Sequence, residues 1–217
     1  MFITFEGTEG SGKTTLVRCV FEFLQKKGYD CIMTREPGNT KIGKKIRKLL
    51  LDPDNKDMVP LTELLLYMAD RAQHIKELVK PSLYEGKVVL CDRYYDATLA
   101  YQGFARGLDI EFISKLHKLI LDDFKPDLTF LLDLPPEIGL SRAWKQIESG
   151  ARTQKESRFE EEALAFHKKV RAGYLEIAGL EPERFTVIDA SADENQVQNH
   201  IIAILTDRLG RSAEMKF

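Results

Sequence analysis

The sequence predicts an α/β fold: one three-layer domain over residues 1–217, built on a five-stranded parallel sheet with helices on both faces. Three observations carry this expectation. Five short runs rich in β-branched and aromatic residues are apolar along most of their length, the pattern of strands buried on both sides. Stretches with helical apolar spacing alternate with these runs, which is the order a parallel sheet requires. Glycine and charged residues follow directly on several runs, and in such sheets ligands sit at the carboxyl ends of the strands.

The first run, Phe2-Ile3-Thr4-Phe5, leads into Glu6-Gly7-Thr8-Glu9-Gly10-Ser11-Gly12-Lys13-Thr14-Thr15, and a helical pattern continues over 16–27. Gly7-x-x-x-x-Gly12-Lys13-Thr14 has the spacing of a phosphate-cradling P-loop, which makes the expected architecture P-loop NTPase-type. Phosphate oxygens need several convergent backbone N–H donors, and glycine lets the chain approach that closely. The loop ends at a helix N-terminus, whose partial positive charge favours an anion. Lys13 is placed to reach the β- and γ-phosphates, and the Thr14 hydroxyl to bind Mg²⁺. With glycine near 7% of residues, an accidental match in a chain of this length is about one in a hundred.

Gly28 stops the first helix, and 30–34 reads as the second strand, running into Arg35-Glu36-Pro37-Gly38, a loop forced by proline and glycine. A short basic helix is expected over 41–51, with Ile42, Ile46, Leu49 and Leu50 on its apolar side and its lysines solvated. The pattern over 61–79 is helical and places Tyr67 and Arg71 four residues apart, on one face. The third strand, 87–91, ends abruptly in Asp92-Arg93-Tyr94-Tyr95. A helix over 109–121, a fourth strand over 128–133 and a helix opened by Pro135-Pro136 follow. Residues 143–157 are polar, with Ser149-Gly150 and several cations. They suit either a mobile segment over a site or an idle surface loop. A helix over 159–177, a strand over 185–189, a helix over 195–209 and a frayed tail over 211–217 complete the reading.

Gly7, Arg35, Asp92 and Arg93 therefore converge on one sheet edge from separate parts of the chain. A P-loop beside two guanidinium forks, Arg35 and Arg93, suits one triphosphate and one further phosphate, hence phosphoryl transfer between nucleotides. Asp92 at the end of a buried strand would be a costly charge, and Mg²⁺ explains it; alternatively Asp92 and Arg93 pair as structural ions. The formal net charge of −2 argues against a nucleic-acid binder held by bulk electrostatics. Cys19, Cys31 and Cys91 are widely spaced and read as buried free thiols. With neither a signal-like leader nor a membrane-length apolar run, a soluble cytoplasmic protein is expected, without nucleic-acid or membrane partners.

The motif set resembles the thymidylate kinase family of P-loop nucleoside monophosphate kinases, in its bacterial-type form. The matching blocks are Phe5-Glu6-Gly7 with the P-loop, Thr34-Arg35-Glu36-Pro37-Gly38, the run from Glu63 to His74, Asp92-Arg93-Tyr94, Ala100-Tyr101-Gln102-Gly103, Pro126-Asp127-Leu128, and Phe166-His167 through Val170-Arg171 to Tyr174-Leu175-Glu176. They stand in family order along nearly the whole chain. The resemblance implies ATP- and Mg²⁺-dependent conversion of dTMP to dTDP, in a homodimer. It implies that Gly7, Thr8, Glu9, Gly10, Ser11, Gly12, Lys13, Thr14 and Thr15 hold ATP, with Thr14 and Asp92 at the metal. On the dTMP side, Tyr67 would stack on thymine, Arg71 would donate to O4 and Gln102 would meet the base edge. Arg35 and Arg93 would hold the acceptor phosphate, Glu9 the 3′-hydroxyl and Pro37 a wall of the base site. Tyr101 would crowd the 2′ position, and Thr98 would supply a hydroxyl contact.

The resemblance implies catalytic roles for Lys13, Asp92 and Arg93 and, since the family's bacterial-type pattern has no basic residue among the P-loop x positions and places catalytic arginines in the lid, for Arg142, Arg152 and Arg158, in a lid spanning about 142–158. Arg152 is the expected catalytic one. Two departures stand out: Ala97-Thr98 replaces two small hydroxyl residues, and Ser157 precedes Arg158 where Asp is common. Rival readings are another kinase of the same architecture, a GTP-binding switch or a silent homologue. Against the switch, Asn55-Lys56-Asp57-Met58 fails the last position of a guanine reader. Against silence, Lys13, Thr14, Asp92 and Arg93 are all intact.

Overall fold

The computed structural model describes residues 1–151 and 153–214, the side chains of 210–214 excepted. In chain order the elements are β1 (Phe2–Gly7), α1 (Lys13–Lys26), β2 (Cys31–Arg35), α2 (Lys41–Leu51), α3 (Pro60–His74), α4 (Lys80–Tyr84), β3 (Val88–Asp92) and α5 (Tyr95–Thr98). Then come α6 (Ile110–Leu121), β4 (Leu128–Asp133), α7 (Pro136–Glu148), α8 (Leu164–Leu180), β5 (Phe185–Asp189) and α9 (Glu194–Glu214). The five strands form one parallel sheet in the order β2-β3-β1-β4-β5.

β1 occupies the centre and all six of its residues are buried, which its solid apolar run demands. On one face Ile3, Phe5, Leu90, Phe130 and Leu132 pack on Leu16, Val20 and Leu24 of α1 and on Ile201 and Leu205 of α9. On the other, Leu131 joins Tyr101, Phe166, Val170 and Tyr174, while Phe2, Val89 and Cys91 pack with Tyr94 and Tyr95. At about 25 cal/mol per Å² of apolar surface removed from water, a two-sided core of this kind is the main stabilising term. The edge strands depart from the solid-run expectation. β2 and β5 are only partly buried, with Met33 and Val187 exposed, because an outer strand is covered less completely.

Five sequence expectations need correction. Cys19 is half-buried, not buried as Cys31 and Cys91 are. The apolar side of α2 is Ile46, Leu50 and Leu51, whereas Ile42 and Leu49 are about half exposed. Residues 143–148 are not loop: α7 continues through them, anchored by the fully buried Ala143. The helix expected from 159 begins at Leu164, after a turn in which Phe159 is buried. The tail expected to fray from 211 is helical as far as Glu214, the end of α9; residues 215–217 lie outside the described residues.

The helical pattern over 61–79 extends from α3 through a π-helical stretch, Ile75–Val79, into α4. A second π-helical stretch, Leu99–Ala105, follows α5 and carries Tyr101 and Gln102. Its wide turn is visible in the 2.9 Å bond from the Arg106 N–H to the Tyr101 carbonyl, five residues back. Such turns concentrate at functional sites because the bulge re-aims neighbouring side chains.

Candidate active site

A cleft of ≈ 600 Å³ opens at the carboxyl edge of β1, β2 and β3. Its floor is the P-loop. Gly12 sits at φ +92° and delivers the chain into α1, so the first amides of that helix face the cleft. The loop is pressed on α7 by close backbone contact: a Cβ on Gly10 would lie 2.0 Å from the Gly139 carbonyl, and one on Gly139 2.2 Å from the Glu9 carbonyl. The first turn of α7 thus fixes where the phosphate-facing amides lie.

Lys13 Nζ folds back on the loop, donating to the carbonyls of Gly7 (3.0 Å) and Thr8 (2.7 Å) and to Ser11 Oγ (3.2 Å). Burial, aided by the Arg93 charge, lowers its pKa to about 8. At the mouth of the loop, Thr14 Oγ1 donates to Asp92 Oδ2 at 2.7 Å. One hydroxyl and one carboxylate, both hard oxygen donors, fit Mg²⁺, which takes one or two protein ligands and fills its octahedron with water and phosphate.

Arg93 follows β3 directly, and its N–H still continues the ladder to the Phe5 carbonyl at 3.0 Å. Its φ of +68° is one that side-chain-bearing residues rarely adopt. The guanidinium explains why it is tolerated: Nη1 donates to the Gly7 carbonyl (2.9 Å) and the Tyr174 hydroxyl (3.1 Å), and Nη2 to Glu9 (3.0 Å). Glu9 also accepts from the Tyr101 hydroxyl at 2.5 Å and pairs with His167 Nδ1 at 3.1 Å. Burial alone would raise the Glu9 carboxyl, but the His167 hydrogen bond and the Arg93 charge outweigh it and hold it well below the carboxylate range. The Arg93 guanidinium lies 5.0 Å over the Tyr101 ring, so Glu9, Arg93 and Tyr101 form one interlocked unit.

At the other end, Tyr67, Arg71, Thr98 and Gln102 line the cleft with Pro37. Arg71 is buried, and four of its five N–H groups are committed. Nε donates to Glu36 at 2.7 Å, Nη1 to Thr98 Oγ1 at 2.9 Å and toward His117 Nε2 at 3.1 Å, and Nη2 to the Tyr94 carbonyl at 3.2 Å. One Nη2 hydrogen has no partner among the described residues. Glu36 in turn receives His74 Nδ1 at 2.8 Å. Burial would raise its carboxyl, but the Arg71 charge and the His74 bond pull it below its usual value. Arg35 is exposed in the same cleft and lies on β2, one strand further from the P-loop than Arg93.

A family profile described as thymidylate kinase matches residues 5–201. The chain belongs to the thymidylate kinase family. Thymidylate kinase from Desulfosudis oleivorans is 55% identical over 205 residues, covering 94% of this chain and 96% of that relative. Thymidylate kinase from Desulforapulum autotrophicum is 52% identical over 210 residues, 97% and 92% of the two chains. The crystal structure of thymidylate kinase from Ehrlichia chaffeensis superimposes with a TM-score of 0.75 at 35% identity, covering 95% of this chain and 98% of that one.

Against the thymidylate kinase expectations, the P-loop residues, Arg35, Pro37, Tyr67, Arg71, Asp92, Arg93, Thr98, Tyr101 and Gln102 all come together around or beneath the cleft. Two lid arginines do not line it. Arg142 Nη1 donates to the Ala190 carbonyl beyond β5 at 3.2 Å. Arg158 is buried, donating to the Leu50 carbonyl at 2.9 Å and to the Glu63 carboxylate. Arg152 lies outside the described residues. The segment expected as a lid is tied to α2 by a 2.7 Å ion pair between Glu156 and Arg47.

Glu36, Glu63, His74 and His167 stand within the family blocks, but the sequence around them assigns them no role. Their partners lie 35 to 158 positions away, and no local pattern announces such pairings. Glu6 was missed in the same way. It is fully buried in β1, accepting from the Tyr94 N–H (2.6 Å) and the Tyr174 hydroxyl (2.7 Å), and burial with the nearby Asp96 charge pushes its pKa up to about 8.

Proposed function

We propose that the cleft holds ATP and dTMP end to end and transfers the γ-phosphoryl group between them, with the residue roles given below. As a thymidylate kinase family member the chain phosphorylates dTMP to dTDP, with ATP as donor and Mg²⁺ as cofactor. The observation that carries the residue-level reading is the sheet order. β1 ends in the P-loop, β3 beside it in Asp92 and Arg93, and β2 beyond in Arg35, so donor phosphates, metal ligands and acceptor-phosphate cations succeed one another along one edge. The amides of Gly7 to Thr15 and Lys13 bind the ATP phosphates. Lys13 leaves its backbone carbonyls for phosphate oxygens, which favour its charged form and reverse the lowering caused by burial. Thr14 and Asp92 hold Mg²⁺, which when bound neutralises phosphate charge.

Arg93 and Arg35 hold the acceptor phosphate, with Arg93 braced by Glu9 and Tyr174 so that its fork is pre-organised. Tyr67 stacks on the base, the remaining Arg71 hydrogen meets O4, and Gln102 meets the adjacent edge. Glu9 accepts from the 3′-hydroxyl, and Tyr101, held against Glu9, blocks a 2′-hydroxyl. With Arg142 and Arg158 committed to Ala190 and Glu63, Arg152 is the lid arginine we assign to transition-state charge. A homodimer belongs to the same reading, supported by Leu61 and Leu65, one turn apart and half exposed on α3. Cytoplasmic residence is supported by three free cysteines. No helix among the described residues is long and apolar enough to cross a membrane.

The test is ADP release with ATP and Mg²⁺ across all common nucleoside monophosphates and nucleosides. dTMP is expected to be best, dUMP slower, and AMP, GMP and CMP poor. A nucleoside as best acceptor would overturn the assignment of Arg35 and Arg93 to an acceptor phosphate. Ultracentrifugation tests the dimer: a monomer at micromolar concentration would remove it.

A further inference from the structure

The base-reading end of the cleft rests on a carboxylate that does not line it. Glu63 is fully buried on α3. Its oxygens accept from Gln102 Nε2 at 2.8 Å, from Arg106 Nε and Nη2 at 3.3 and 3.2 Å, and from Arg158. A carboxylate facing two guanidinium groups accepts hydrogen bonds and does not donate them, so it dictates how the Gln102 amide is turned. The NH₂ must face Glu63, and the carbonyl oxygen is the amide group left for the cleft that Gln102 lines. The opposite turn would set carbonyl against carboxylate inside a dry site, where an unmatched polar pair is heavily penalised.

Beside this acceptor stands the Arg71 guanidinium, which can only donate. The two groups together present donor and acceptor to a pyrimidine. Thymine and uracil offer the complement, an O4 acceptor next to an N3–H donor. Cytosine offers the reverse, an amino donor next to an N3 acceptor, and is mismatched at both positions. We infer that Glu63 is a specificity-determining positioning residue: by fixing the orientation of the Gln102 amide it sets the cleft for an imide-edged pyrimidine against an amino-edged one. It acts through Gln102 and touches neither nucleotide, and it rests on the reading that Gln102 meets the base edge. The same carboxylate holds Arg106, just past the π-helical stretch that carries Gln102, and Arg158 at the end of the lid, so the turn is clamped on both sides.

The experiment compares dTMP, dUMP and dCMP as acceptors for the wild type, Glu63→Gln, Gln102→Leu and the double variant. In Glu63→Gln the new amide keeps its oxygen for the arginines and can turn its NH₂ to Gln102, which frees Gln102 to flip. The dUMP-to-dCMP ratio of kcat/KM should fall by about tenfold or more, while the dTMP-to-dUMP ratio, which reports only the 5-methyl group, stays within about twofold. In the double variant Glu63→Gln should change the ratio no further than Gln102→Leu alone. A general loss for all three acceptors, or an added effect in the double variant, would make Glu63 merely structural. If Gln102→Leu itself leaves the ratio unmoved, the placement of Gln102 at the base edge fails, and the role of Glu63 fails with it. Should Glu63→Gln not fold, NMR of the wild type decides. The Gln102 side-chain amide, identified by its loss in Gln102→Leu, should exchange its protons slowly both free and with dTMP; exchange at the rate of an exposed glutamine would overturn the inference.

Discussion

Arg71 is where recognition and stability meet, and replacing it separates the two. In Arg71→Ala the remaining Nη2 donor is lost from the cleft, and the polar edge of the base is left unmatched. That should cost about 1–3 kcal/mol of dTMP binding, roughly 5- to 150-fold in the acceptor KM. The structure adds a second cost. Glu36 is buried and keeps only His74 as partner once the 2.7 Å bond from Arg71 Nε is gone. Breaking a buried pair from one side typically costs about 3–5 kcal/mol, and for a chain of this length each kcal/mol moves the melting temperature by about 2–4 °C. The variant should therefore melt about 6–20 °C lower at pH 7. The pH dependence has a definite sign. In the wild type the Glu36 carboxyl lies below its unfolded value, so its contribution is present above about pH 4.5 and is lost as pH falls through the folded value. In the variant, burial without the guanidinium raises it, and acidification relieves the unpaired charge. The gap in stability between the two proteins should thus shrink between pH 7 and pH 4. Scanning calorimetry over that range, with dTMP titrated at each pH, measures both effects. A variant that melts within about 3 °C of the wild type at pH 7 would refute the pairing of Arg71 with Glu36, whatever its KM.

Three further predictions follow from the same geometry. Tyr101→Phe should raise the dTMP KM about tenfold by removing the 2.5 Å bond to Glu9 yet keep the dUMP-to-UMP ratio of kcat/KM, whereas Tyr101→Ala should narrow it; an unmoved ratio would place sugar selection elsewhere. Gly139→Ala puts a Cβ 2.2 Å from the Glu9 carbonyl, and displacing the P-loop should lower kcat/KM for ATP by about tenfold or more. Gly179→Ala, a helical position with open space around it, should instead stabilise the fold by about 0.5–1 kcal/mol; equal effects of the two substitutions on activity would refute the contact. Because burial lowers Lys13 to about 8 and phosphate restores its charge, ATP binding at pH 8 should take up about half a proton. Calorimetry in buffers of different ionisation enthalpy reads this; an uptake that survives in Lys13→Met would assign it to another group, such as Glu6.

The sheet and most helices were legible because their signals are local. Solid apolar runs place β1, β3 and β4, Pro136 opens α7, and the P-loop spacing identifies its own strand and helix. Residues 143–148 were misread as loop for a local reason as well. In the last turns of α7 only Ala143 is buried, with Trp144 and Ile147 half-buried among exposed polar residues, so the packed face is narrow. The site divides along the same line. Residues that follow strand ends were found from sequence, since topology alone gathers them at one edge. The buried carboxylates Glu6, Glu36 and Glu63 were not, because a charge inside a protein is explained only by its counter-charges, and those come from distant elements. Arg158 illustrates the consequence: its position in the lid suggested contact with phosphate, while its partner is a carboxylate on α3.

The left-handed backbone of Arg93 sets the preference of its main chain against that of its side chain. A φ of +68° suits glycine, or at some cost asparagine, far better than arginine. Arg93→Gly should consequently unfold no more readily than Arg93→Ala, despite leaving a larger gap, and Arg93→Asn should be the hardier of the polar replacements. All three give up the fork that grips Gly7, Glu9 and Tyr174. The chain holds at this corner a residue its own backbone disfavours, so the conformation persists only because the side chain's own contacts over-determine it.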